Sequence, residues 1–220
     1  MIKQEIRSII RNSLPKIDKT ARWHDRYIDS AIEKALASMY HDVFSMNPLG
    51  LQRYTKGYGY TTPIVVNTQV STGRKYCTLP ESIVPMEDKA SGVRRVSTPI
   101  QGQFMFFPMD IREMDLVANG CYFDTTNSKV GYIVTQTEVE FYNIPASIVT
   151  SGVRMDLLIP FSKYGEDDEV KIPEITDISG WGNKTASATF VDRVMQILSV
   201  VQPVDLHDDN APQEGAQRDN

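Results

Sequence analysis

The chain has little of what metal centres, disulfide frameworks and catalytic dyads are made from: two cysteines and three histidines in 220 residues. Cys77 and Cys121 stand far apart in β-like context with no CxxC pair, so reduced, buried thiols are expected rather than a disulfide framework or a zinc site. His24 and His41 fall on one predicted helix, about 25 Å apart at the rise of an α-helix, and cannot share a metal or a proton within one chain. His207 lies apart in the acidic tail. GxSxG, HExxH, Walker A and dinucleotide fingerprints are all absent, and no cofactor is expected. Nowhere do eighteen apolar residues run together, and Met1-Ile2-Lys3-Gln4-Glu5-Ile6 has no signal-peptide core. The expectation is a protein made and used in a cytosol without a membrane anchor. A net charge of −5 argues against a general nucleic-acid binder, which would be strongly basic.

What is present is enough apolar material for a real core: 41% hydrophobic against 23% charged residues, the ordinary globular range. Ile2, Ile6, Ile9 and Ile10 share one helical face, and that helix is expected to end before Pro15 with Ser13-Leu14 extended. A longer helix is predicted from Trp23 to Phe44 on the stripe Ile28, Ile32, Ala35, Met39 and Val43, closed by Asn47-Pro48-Leu49-Gly50. The period then changes. Arg53 to Thr62 reads as a Tyr/Gly-rich loop, and strands are predicted over Ile64–Val70, Tyr76–Pro80, Val93–Val96, Phe104–Phe107, Gly131–Val134 and Glu138–Tyr142. Asn143-Ile144-Pro145 reads as a turn. Val153, Met155, Leu157 and Ile159 then alternate with Arg154, Asp156, Leu158 and Pro160, the pattern of a strand with one buried face.

Beyond Asp167–Pro173 and a loop containing Gly180-Trp181-Gly182, a last helix is predicted from Thr185 to Val201 on Phe190, Val194, Ile197 and Leu198. The order predicts an α+β fold: N-terminal and C-terminal helices packed as a helical layer, with an inserted antiparallel β domain. The expected parts are residues 1–48 (helical), 49–175 (β-rich), 176–201 (the returning helix) and 202–220, an acidic extended tail too polar to fold alone.

Charge is unevenly placed. Lys3, Arg7, Arg11, Lys16, Lys19, Arg22 and Arg26 against Glu5, Asp18 and Asp25 give residues 1–26 a net +4. Asp205, Asp208, Asp209, Glu214 and Asp219 against Arg218 give residues 202–220 a net −4. Opposite ends of this kind favour contacts between neighbouring copies, or are simply two solvated termini. Arg7, Arg11, Asp208 and Asp209 are therefore candidate interface residues. The tail lacks the spacing of an EF-hand loop and is not expected to bind a metal. In the Arg53–Tyr60 loop, cations mix with aromatics as they do in single-strand binders, but two cations are few, and Tyr58 and Tyr60 fit a contact between subunits better. Trp23 and Trp181 are expected core or interface anchors.

One arrangement resembles metal-dependent catalysis. Asp156 on a predicted strand, followed by Glu169-Val170-Lys171, matches the (D/E)xK layout of restriction-type nucleases, in which carboxylates hold Mg²⁺ and a lysine supports the attacking water. Against it, Lys171 runs straight into Ile172-Pro173, and helices between the strands are missing. A β-rich module binding carbohydrate or another ligand is a third reading.

Taken together, these segments resemble the head–tail connector (adaptor, or ring) proteins of short-tailed bacteriophages, including the tail tubular protein A group and the ring proteins of crAss-like phages. Trp23-His24-Asp25-Arg26-Tyr27-Ile28-Asp29-Ser30-Ala31-Ile32 is similar to that family's opening helix. Tyr76-Cys77-Thr78-Leu79-Pro80-Glu81 resembles its strand ending in Leu-Pro, followed by Val93-Arg94-Arg95-Val96. Leu158-Ile159-Pro160, the acidic loop, Ile172-Pro173 and the closing helix resemble its ending, so the likeness covers roughly residues 20–201. Gly180-Trp181-Gly182 lengthens the family's usual step into the last helix. The resemblance implies a non-enzymatic virion protein at the head–tail junction, assembled in the host cytoplasm. It would form a homo-oligomeric ring, commonly twelvefold, bind the portal and neighbouring connector or tail proteins, and pass double-stranded DNA through its lumen.

Overall fold

A computed structural model describes residues 1–14, 23–99, 104–114, 129–173 and 186–200, with side chains of 186–189 left out. The fold is α+β. Its helices are α1 (Lys3–Ser13), α2 (Asp25–Met46), the short α3 (Ala146–Ser151) and α4 (Ala186–Val200). Its strands are β1 (Lys56–Tyr58), β2 (Asn67–Thr68), β3 (Lys75–Thr78), β4 (Val93–Ser97), β5 (Met105–Pro108), β6 (Lys129–Val134), β7 (Glu138–Tyr142) and β8 (Arg154–Leu157). Among the described residues no helix is long and apolar enough to cross a membrane.

The helical layer forms because three apolar stripes need one another. Ile6 and Ile10 of α1, Ile28, Ile32, Ala35, Met39 and Val43 of α2, and Phe190, Val194 and Leu198 of α4 are each at most 1% exposed. At about 1.5–3 kcal/mol for each large side chain taken out of water, this seam outweighs the modest intrinsic preference of any one helix. Both ends of the described chain thus meet, with α4 lying against α2 and α1.

Two sheets complete the core. The smaller has the order β1-β8-β4, antiparallel throughout, with Leu157 opposite both Lys56 and Val93, and Met155 opposite both Tyr58 and Val96. The larger has the order β2-β3-β7-β6-β5. A single hydrophobic cluster runs from the helices through both sheets.

Several expectations are corrected. Ser13 is still helical and Leu14 keeps αR geometry (φ −58°, ψ −38°) rather than extending, because burying its side chain offsets the pre-proline preference. The second helix begins at Asp25 and runs to Met46, leaving Trp23 and His24 outside it. Pro48–Tyr54, running from the expected helix-closing residues into the start of the Tyr/Gly loop, is a 3-10 helix that buries Leu51 and Tyr54, three positions apart, and β1 lies within the expected loop.

The Ile64–Val70 strand is divided between the sheets. Ile64 exchanges backbone hydrogen bonds with Val153 at 2.8 and 3.0 Å, and only Asn67–Thr68 pairs with β3. The expected antiparallel domain has one parallel pair, β5 with β6, whose crossover passes through 109–128. After the turn at Asn143 (φ 58°), α3 was not foreseen; it lies between Pro145 and Gly152 as its caps, and the φ of 76° at Gly152 suits glycine. The Gly180-Trp181-Gly182 loop and Val201 lie outside the described residues.

Candidate functional site

A cluster of polar contacts ties the start of the chain to the segment after β8. Residues 1–3 pair with 168–170: the Val170 N–H donates to the Met1 carbonyl at 2.8 Å, and the Lys3 N–H to the Asp168 carbonyl at 3.2 Å. Lys3 falls three and seven positions before Ile6 and Ile10, on the buried face of α1, and is 5% exposed. A desolvated ammonium needs partners, and this one donates to the Tyr164 carbonyl at 2.7 Å and the Ser162 carbonyl at 3.5 Å. Glu166 stands 3.7 Å away and the Phe161 ring centroid 5.3 Å. One turn on, the Arg7 guanidinium donates Nε and Nη2 to both oxygens of Asp29 on α2, at 2.7 and 2.5 Å. Its Nη1 reaches Glu166 at 2.6 Å. This fork joins α1, α2 and the 161–170 loop at one point, and it pushes the Arg7 pKa further up, Asp29 acting first.

The same loop is tied to the small sheet. The Lys56 ammonium donates to Asp168 Oδ2 at 2.5 Å, and Asp168 also accepts from the Gly165 N–H at 2.8 Å. Both bonds, Lys56 first, hold the Asp168 carboxyl below the usual carboxylate range. Tyr58, two residues beyond Lys56 and half-buried, has its hydroxyl pushed up to about 12, by burial first and then by the charge of Glu81. Tyr40, fully buried, donates to the Lys171 carbonyl at 3.5 Å.

On the opposite face of the small sheet lies a second, open cluster. Antiparallel register places Gly57, Asp156 and Arg95 together, with Arg154 opposite Ser97. Tyr60 folds back over Gly57, where an added Cβ would sit 2.7 Å from the ring. Its hydroxyl donates to Asp156 Oδ1 at 2.9 Å, and the Arg154 guanidinium stands 5.3 Å from its centroid.

Of the expected interface residues, Arg7 is engaged within the chain, and Arg11 pairs with Asp25 beside it, drawing the Asp25 carboxyl down. Both guanidiniums thus have a carboxylate partner within the chain, Arg11 at the surface. Trp23 is half-buried against the core, and its indole N–H meets no acceptor among the described residues. Tyr58 is half-buried, whereas Tyr60 is 49% exposed. Trp181, Asp208, Asp209, His207 and Cys121 lie outside the described residues. Cys77 is a free, fully buried thiol, pushed up to about 12 chiefly by that burial.

The (D/E)xK residues share no partner. Asp156 engages Tyr60 on the outer face, while Glu169 and Lys171 are exposed on the segment that borders the N-terminus. Among the described residues no three His, Cys, Asp or Glu side chains gather to hold a metal ion. Lys3, Lys56 and Asp168 were missed. For Lys3 a signal existed in its register with Ile6 and Ile10; Lys56 and Asp168 meet only through the fold.

A groove of about 710 Å³ lies beside the β2–β3 turn, lined by Arg74, Lys75, Tyr142 and Asn143 among others. Its arginine is already spent on Glu138 and Glu140, at 2.8 and 2.7 Å, and Lys75 donates to the Ile144 carbonyl at 3.1 Å. The groove presents no free charge from these two residues to orient a ligand. No family model, no curated protein and no solved structure matches this chain.

Proposed function

We propose that this protein is a virion connector: a subunit of a ring at the head–tail junction, below the portal, that extends the DNA channel and attaches the tail. The observation that carries the reading is the return of the chain to where it began. α4 closes on α1 and α2, and the β part is inserted between them. That order of elements is the one on which the likeness to connector proteins of short-tailed phages rests. A chain built this way carries a stiff helical layer to stack around a ring and a β part to reach neighbours. The tie between residues 1–7 and 161–170 fixes the helical layer to the small sheet, as a part that transmits load between neighbours requires.

The test is assembly. Purified protein, alone and mixed with a portal protein from a short-tailed phage, is imaged by negative stain. Rings, or rings seated on the portal, are the expected result, and Lys171→Ala assembles like the parent because its side chain is exposed. Magnesium-dependent cutting of DNA that is lost in Lys171→Ala would overturn the reading in favour of the nuclease.

A further inference from the structure

The groove beside the β2–β3 turn has its charges balanced but much of its hydrogen-bonding capacity left over. Antiparallel register of β3 on β7 sets Arg74 and Lys75 against Glu138 and Glu140, two cations against two carboxylates. A phosphate or carboxylate ligand needs spare positive charge, and a polyamine needs spare negative charge. The groove has neither. What it does have is donors and acceptors. A guanidinium carries five N–H donors. Arg74 spends Nη2 on Glu138 and Nε on Glu140, which leaves Nη1 without a partner among the described residues. That side chain is 30% exposed, so the remaining donors meet the groove's solvent. Gln69 accepts from the Thr72 hydroxyl through Oε1 at 2.9 Å, and its Nε2 stays a donor. Asn143 gives Nδ2 to the Lys129 carbonyl at 3.1 Å, and its Oδ1 stays an acceptor. The Tyr142 hydroxyl is buried and meets no hydrogen-bond partner among the described residues. Ile144, Pro145 and the Tyr142 ring supply the apolar part of the lining. At about 710 Å³ the groove has the size of a small-molecule site.

We propose that this groove binds a neutral saccharide. A sugar brings no charge to pair, each of its hydroxyls both donates and accepts, and its C–H face packs on apolar and aromatic surface. The lining offers those three things together: balanced charge, mixed donors and acceptors, and an apolar wall. Other ligand classes fit worse. An apolar ligand would cover Arg74 Nη1 and Gln69 Nε2 and leave them unpaired. A charged ligand would have to draw Arg74 away from Glu138 and Glu140, or Lys75 from the Ile144 carbonyl. In the saccharide complex, Arg74 and Gln69 donate to ring hydroxyls, Asn143 accepts from one, and the Tyr142 hydroxyl gains the partner it lacks. The groove belongs to the large sheet and needs no ring of subunits. It therefore stands or falls separately from the connector reading.

The test is an NMR titration of the isotope-labelled full-length protein with maltotriose, cellotriose, mannotriose and the N-acetylglucosamine trimer, each added separately. Inorganic phosphate and spermidine serve as charged comparisons. The expected result is a saturable shift of backbone amides in 69–75 and 140–145 with at least one of the saccharides. Because the ligand is neutral, its midpoint should hold steady between 50 and 500 mM salt. Gln69→Ala combined with Tyr142→Phe should weaken that midpoint about tenfold, since each removes one hydrogen bond to the sugar. Gln69 is exposed and the Tyr142 hydroxyl has no partner to lose among the described residues, so the rest of the spectrum should be unchanged. Gln69→Ala alone should weaken binding several-fold. No saturable shift with any of the saccharides overturns the proposal, as do shifts confined to other residues or a midpoint indifferent to both substitutions. So does phosphate or spermidine shifting the same amides at lower concentration than every saccharide, which would assign the groove to a charged ligand.

Discussion

The two sheets use similar sequence material to opposite ends. In β8 of the small sheet, Met155 and Leu157 are 1% and 0% exposed, flanked by Val153 at 0% and Leu158 at 0%. Around β2 of the large sheet, Val65 is 67% exposed and Val70 99%. Both stretches are rich in β-branched and aliphatic residues, so strand preference does not separate them. Cover does. β8 is the centre of its sheet, with β1 and β4 on either side, and the 3-10 turn Pro48–Tyr54 joins β4 to α2. β2 is an edge, two residues long, running into a turn closed by the Gly73 N–H on the Gln69 carbonyl at 2.8 Å. A period of two announces that one face can be buried; only the neighbouring element decides whether it is.

That contrast is broken or sharpened most strongly at Leu157. Leu157→Ala leaves a cavity under the small sheet and is expected to destabilise the protein by about 2–5 kcal/mol, read as a lower urea midpoint at unchanged slope. A loss below about 1 kcal/mol would mean that β8 is no better covered than β2. The next effect tests what fastens the small sheet to the helices. Lys3→Met keeps the aliphatic stem of a side chain that is 5% exposed but leaves the Tyr164 carbonyl without its 2.7 Å donor. About 1–3 kcal/mol is expected, by the same measurement. Lys3→Arg, which restores a cation in a larger shape, should recover part of it.

The helical layer was legible in the sequence because its stripes repeat at helical spacing over long runs. Ile28 to Val43 leaves room for one reading only, and Phe190, Val194 and Leu198 identify the closing helix just as clearly. The strand from Val153 was legible for the same reason, with Glu138–Tyr142 found to the residue. What was not legible depended on partners distant in the chain. Ile64 leaves the run Ile64–Val70 to pair with Val153, and nothing local records that. The parallel direction of β5 on β6 is not recorded in the sequence of either strand. α3, with Ile148, Val149 and Thr150 in six residues, is poor helical material locally and forms because Ile148 is buried. The polar tie was half visible: Lys3 shares a face with Ile6 and Ile10, but that its ammonium would find the carbonyls of Ser162 and Tyr164 is a fact of the fold. The basic N-terminus was legible as a charge count, but the pairing of Arg7 with Asp29 and Glu166 is a fact of the fold.

A smaller effect separates the sheets by pH. The Asp168 carboxyl is depressed by Lys56 and then by the Gly165 N–H. A depressed folded-state value means that its contribution is present above the ordinary unfolded value near 4 and is lost as pH falls through the lower folded one. Being only partly shielded from water, the pair is worth at most about 1 kcal/mol. Asp168→Asn should therefore lower the thermal midpoint by a few degrees at pH 6, and the gap from the parent should close toward pH 2. A gap that persists at pH 2 would assign the effect to shape rather than charge.

The smallest expected change is the one most able to refute the contrast. Val70, at 99% exposure, has no cover to lose. Val70→Ser should leave the urea midpoint within about 0.5 kcal/mol of the parent. Val96→Ser in β4, 7% exposed under the same sheet as Leu157, should cost several times more, since it puts a hydroxyl where a methyl group was packed. If the two substitutions cost the same, exposure in the isolated chain would not explain what separates the sheets. If Val70→Ser is silent in the monomer yet lowers the yield of rings or portal-bound particles, the turn at Val70 is a contact completed between copies.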